Sequence, residues 1–199
     1  MSDQLHFPLK FEFRFFSISP QFLVYDAYHN EIAFVKQKLF RLKEAITVYN
    51  NSSQTEELFK INAKQWIDWS ANYEFNDAIG NYLGKVARHG TRSMWKATYD
   101  IYDSNDVHEF RIEEDNGFVK VMDSLFSEIP LIGILSGYVF NPKYNVVDSN
   151  GEKVAVFIKN KSLMGLDFSL ELLQNLPKSN QIRIALSLMM MVLLERKRG

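Results

Sequence analysis

Cysteine is absent from this 199-residue sequence. Its absence removes disulfides, thiolate metal ligands, cysteine nucleophiles and thiol redox chemistry together, and it suits a reducing cytoplasm. Proline and glycine are scarce, at 5 and 9 positions. Pro8, Pro20, Pro130, Pro142 and Pro177 stand singly between strand-like runs and no Ser/Gly tract marks a linker, so residues 1–199 read as a single domain. Charge of one sign is also missing, with 23 basic against 24 acidic residues. A protein that wraps a polyanion normally carries a large basic excess, so nucleic acid is not an expected partner.

Catalytic signatures are lacking too. The chain has no nucleophile elbow, P-loop, GxGxxG turn or HExxH helix. His6, His29, His89 and His108 are isolated in sequence, without the repeated spacing that metal ligands show. The expectation is a non-enzymatic protein with no metal and no cofactor. The amino-terminal stretch to Pro20 has no basic region followed by a compact apolar run, which argues against a signal peptide and for a cytoplasmic protein.

What is present is apolar. Hydrophobic residues make up 46% and aromatics 14%, with 16 Phe, enough for a large core in one domain. The longest apolar run, Ile184 to Leu194, is broken only by Ser187. As a helix it spans about 16 Å, half of the roughly 30 Å hydrocarbon core, so it is no transmembrane segment. A helix apolar on all faces has to be surrounded by protein, and Ser179 or Asn180 before it and Arg196 to Gly199 after it suit its ends.

Four segments repeat one pattern, a branched or aromatic strand running into Asp, a polar turn, and a second strand. They centre on Asp26, Asp77, Asp103 and Asp148. An Asp carboxylate accepts hydrogen bonds from backbone amides just ahead, and Asn30, Gly80, Asn105 and Gly151 are the expected positive-φ positions. Asn50 to Ser53 reads as a further polar turn. Strands are also expected over 10–18, 38–43, 45–49, 57–63, 117–121 and 164–170, with a helical turn over 123–127. Ten to twelve strands and one strong helix give a mainly β class, and a sheet that long should close. A barrel around the carboxy-terminal helix is the economical architecture.

Phe34-Val35-Lys36-Gln37-Lys38, the four hairpins, the segment Ile129 to Pro142 and the end from Leu188 to Gly199 together resemble the bacterial LURP-one-related proteins. These are grouped with phospholipid scramblases and the Tubby carboxy-terminal domain. The resemblance covers Phe22 to Gly199 and implies a roughly twelve-stranded closed barrel enclosing a hydrophobic carboxy-terminal helix. Tubby domains bind phosphoinositides through a basic groove, so an anionic lipid headgroup or membrane surface is the partner it implies. Where scramblases carry an acidic calcium segment, this chain keeps only Asp167 and Glu171, too few oxygens for a calcium site. With no cysteines, it also lacks their palmitoylation cluster.

The charge pattern offers one candidate surface for such a partner. Lys36, Lys38, Arg41 and Lys43 are four cations in eight residues with no acid between them, beside Phe34, Leu39 and Phe40. Arg88 and Arg92 form a weaker second candidate. The expected activity is binding of an anionic headgroup at the inner face of a membrane. The alternative is a protein-interaction or nucleic-acid-binding scaffold that uses the acidic stretch Asp103 to Asp115 or the same basic strand.

Overall fold

The computed structural model describes residues 5–13, 20–37, 45–63, 72–89, 98–115, 143–160 and 167–196. Period-two alternation of apolar and polar residues makes the strands: β1 (Leu9–Phe13), β2 (Gln21–Tyr25), β3 (Glu31–Gln37), β4 (Ala45–Tyr49), β5 (Glu57–Ala63), β6 (Asn72–Asp77), β7 (Tyr82–His89), β8 (Thr98–Tyr102), β9 (His108–Glu114), β10 (Lys143–Asp148), β11 (Lys153–Asn160) and β12 (Asp167–Leu172). One helix, α1 (Lys178–Arg196), follows. Each strand pairs antiparallel with its neighbours in sequence, and β1 pairs with β12, closing a twelve-stranded barrel without a free edge. The expected strands at 38–43 and 117–121 and the helical turn at 123–127 lie outside the described residues. Of the expected last strand, 164–170, residues 164–166 lie outside the described residues and the rest falls in β12, which runs to Leu172.

The inward rows are apolar. Leu9 and Phe11 face Leu170 and Phe168 across the closing seam, and Ile61, Phe75, Val86, Ile101, Ile112 and Val146 continue the row, all without exposure. The space they enclose is filled by α1, whose residues Ile184 to Leu193 are each at most 1% exposed. Burying a Leu, Ile or Met side chain stabilises by roughly 1.5–3 kcal/mol, so this helix supplies much of the core. Ser187 is tolerated because its hydroxyl donates to the Arg183 carbonyl at 2.8 Å. The helix begins at Lys178, ahead of the expected Ser179 or Asn180, with Pro177 just before it.

The four Asp turns share one hydrogen-bond pattern. Asp26 Oδ1 accepts from the amides of Tyr28 at 2.9 Å and Asn30 at 2.8 Å. Asp77 takes Ile79 and Asn81, Asp103 takes Asn105 and Val107, and Asp148 takes Asn150 and Glu152 in the same way. The positive-φ residues are His29, Gly80, Asp106 and Gly151. Gly80 and Gly151 were expected; the other two positions fall one residue before Asn30 and one after Asn105. In all four turns the left-handed residue is the one three beyond Asp, whose amide returns to the Asp carbonyl. Each hairpin carries a register shift beside its turn. The Asn50 to Ser53 turn joins β4 and β5 as a fifth hairpin with a similar shift and with Gln54 at φ 56°.

At the turn end of the barrel a latch holds the helix. The Arg183 guanidinium donates to both Glu109 carboxylate oxygens, at 2.7 and 2.8 Å, and Asn180 donates to Glu109 as well. Arg183 also reaches the Leu83 carbonyl at 3.4 Å. Beside it Gly84, at φ +135°, leaves the space the arginine needs: a Cβ there would lie 2.2 Å from the Tyr102 carbonyl oxygen and 3.0 Å from Arg183 Cδ.

Three outcomes follow from this packing. Leu188→Asp buries an unpaired charge at a cost of several kcal/mol and abolishes the cooperative thermal transition, whereas Leu173→Asp, at a 51% exposed site, leaves it in place; a folded Leu188→Asp protein would refute the enclosed helix. Gly84→Ala lowers unfolding free energy by about 3 kcal/mol through strain and overlap, while Gly80→Ala, with open space around it, costs about 1 kcal/mol, as chemical denaturation can compare. The third concerns acid. Burial opposes ionisation of Asp26 and Asp77, but the turn hydrogen bonds outweigh it; at Asp103 and Asp148 the amides of Val107 and Glu152 are the largest influence, and all four carboxyls are held below the usual range. A depressed folded value means that the added stability is complete above about pH 4 and drains away as the pH falls through the folded values. Asp77→Asn/Asp148→Asn therefore melts lower than the native protein at pH 7, and the gap narrows towards about pH 3; a constant gap contradicts this account.

Candidate functional site

Strand pairing decides where the sequence-predicted cations stand. Val35 on β3 and Ile61 on β5 point inward, so Lys36 and Lys60 point outward. Lys36 faces Thr47 of β4, and Thr47 faces Lys60, which puts both lysines in one cross-strand row. Two strand spacings separate them, about 10 Å. Lys60 is partly offset by Glu57 at 2.9 Å. Lys38, Arg41, Lys43 and Arg92 lie outside the described residues. Arg88 differs from the surface position expected of it: it shares the inward row of β7 with Val86, faces the buried Tyr99 of β8 and is 2% exposed.

The acidic stretch is largely taken up inside the molecule. Asp103 forms its turn, Asp106 receives Lys85 at 2.9 Å and the Tyr82 hydroxyl at 2.8 Å, and Glu109 holds the helix latch. Burial first, and then the Asp106 hydrogen bond, push the Tyr82 phenol up. Asp115 lies 4.0 Å from Lys153. As an acidic patch for a partner, the stretch offers little beyond Glu113.

Sequence reasoning missed the outer-face cluster on β7–β9. Asp100 of β8 points outward yet is only 6% exposed, because three side chains close over it. Arg111, opposite it on β9, donates from Nε at 2.7 Å and from Nη2 at 3.3 Å. His89 Nε2 stands 3.2 Å from one carboxylate oxygen and His108 Nε2 3.4 Å from the other. Burial opposes ionisation of Asp100, but Arg111, helped by the two histidines, holds the carboxyl below the usual range. His108 also stacks edge-on against Tyr102, whose ring carries Lys85 Nζ at 5.0 Å. The signal available in sequence was cross-strand register, which places Ala87, Asp100 and Arg111 side by side although 11 residues separate the charged pair.

Among the described residues no group of three or more His, Asp or Glu side chains is arranged to hold a metal ion. Nor, among them, is any helix long and apolar enough to cross a membrane. Among the described residues, cations gather in a partly buried lysine row on β3–β5, where Thr47 is 3% exposed, and in a carboxylate-centred cluster on β7–β9.

No curated protein and no solved structure matches the chain. The sequence model of the LURP-one-related family matches residues 31–175, from the start of β3 to just beyond β12. Because that match takes in most of the strands of the barrel, this chain belongs to the LURP-one-related family.

Proposed function

We propose that this LURP-one-related barrel is a non-enzymatic binding protein that docks on anionic phospholipid headgroups at the inner face of a membrane through the outer face of β3–β5. The observation that carries the reading is the row of Lys36, Thr47 and Lys60, two cations flanking a hydroxyl on adjacent strands. A headgroup phosphate set against that row meets two ammonium donors, and each lysine near an anionic surface contributes about 1 kcal/mol. Lys38, Arg41 and Lys43 follow directly in sequence and extend the positive run.

The test is cosedimentation with vesicles of phosphatidylcholine carrying phosphatidylglycerol or phosphoinositide. Binding should require the anionic lipid, weaken from 0.05 to 0.3 M salt as screening shortens, and fall about fivefold with Lys36→Gln and further with Lys36→Gln/Lys60→Gln. No binding to any anionic vesicle at low salt, by folded protein, overturns the proposal and favours a protein-contact role.

A further inference from the structure

We infer that His89, His108 and Arg111, gathered on Asp100, form an acid-activated site for a phosphate group on the outer face of β7–β9. It is separate from the lysine row on β3–β5 and does not depend on it.

Geometry supplies the argument. A carboxylate nearly withdrawn from water draws three nitrogen-bearing side chains to one point, within 2.7 to 3.4 Å of its two oxygens. Those side chains remain open on their outer sides: Arg111 is 47% exposed, His89 51% and His108 34%. With neutral imidazoles, Arg111 and Asp100 cancel. Histidines charge as the pH falls below about 6.5. With both imidazoles charged and Asp100 still ionised, the cluster carries two net positive charges, already converged at hydrogen-bonding distance around a fixed centre. A phosphate arriving from solvent then meets the exposed outer edges of Arg111 and His89, which are already held beside Asp100. His108 Nε2, withdrawn from solvent, lies 3.4 Å from an Asp100 oxygen, so a charge on this imidazole is directed at the carboxylate.

Among the described residues, the surrounding groups leave the switch to these histidines. On β7 the neighbouring charge is Lys85, which points the same way and adds to the site. On β8, Thr98 and Tyr102 flank Asp100. On β9, among the described residues, Glu113 is a further acid on the outward row, facing Asn145 of β10, and Glu109, next to His108, is held by Arg183 and Asn180. Asp106, at the adjoining turn, is engaged by Lys85 and Tyr82, and Glu74 of β6 lies opposite Lys85. These carboxylates lower the resting potential of the face, so at neutral pH it repels an anion; two added protons reverse that.

Inorganic phosphate and phosphatidylglycerol vesicles are the two probes, each measured at pH 7.5 and pH 5.5. Phosphate becomes less negative on acidification and phosphatidylglycerol keeps its charge, so tighter binding at pH 5.5 has to arise in the protein. The expected gain is about tenfold or more. His89→Gln/His108→Gln removes the gain, His6→Gln/His29→Asn keeps it, and Lys36→Glu keeps it, which separates this site from the lysine row. In native protein with nitrogen-labelled histidines, phosphate should shift the imidazole signals of His89 and His108 at pH 5.5 and spare His6 and His29. A response to phosphate alone assigns a soluble phosphate ligand, a response to vesicles alone assigns a lipid headgroup, and either supports the site. Absence of both responses, or an acid gain that survives His89→Gln/His108→Gln, overturns it.

Discussion

A helix with no polar face governs this structure. Residues Ile184 to Leu193 are buried on every side, so water-exposed alternatives are closed to them and so is a two-layer arrangement that covers one stripe. Only an enclosure satisfies such a segment, and a closed sheet is the enclosure that also removes its own edges. The demand passes outward into the strands, each of which keeps an apolar inward row from Leu9 and Phe11 round to Phe168 and Leu170. Apolar contact is non-directional and does not fix the helix along its axis. The Arg183–Glu109 pair does that at the mouth, with Gly84 as the vacancy that admits the arginine.

The same mouth is where the strands obtain their register. Asp26, Asp77, Asp103 and Asp148 each gather the amides two and four residues on, forcing one left-handed residue and a bulge into each hairpin. A bulge sharpens twist and coiling, which a sheet needs if twelve strands are to meet end to end. Local turn chemistry and global closure thus act in one direction, the consistency that marks a funnelled sequence.

Most of this was legible because it depends on local pattern. The helix shows in an apolar run broken only by Ser187, the hairpins in Asp followed by short polar turns, and the strand number in the spacing between them. The left-handed positions at His29 and Asp106 were displaced by one residue because Asn30 and Asn105 tolerate positive φ in general, while in these turns they hydrogen-bond back to Asp. Charge alone suggests a surface place for Arg88, although alternation from Val86 points it inward. The Asp100 cluster was invisible for a different reason. It is assembled across three strands, and register of that kind follows from hairpin geometry that spacing alone does not reveal.

An enclosed helix also determines where specificity has to reside. In lipocalin-type barrels an open interior holds the ligand; here the interior is filled, and its side chains are committed to packing. The outward rows are free to vary at little cost, since exposed substitutions seldom change stability by more than about half a kcal/mol. On those rows the acids from Asp103 to Asp115 are mostly occupied by Lys85, Lys153, Arg183 or their own turns. The outward groups also include partly exposed Lys36, half-exposed His89 and the outer side of Arg111. A chain whose net charge is close to zero can therefore present locally cationic faces, and recognition of an anion follows from the arrangement of its charges in space, with no basic excess needed.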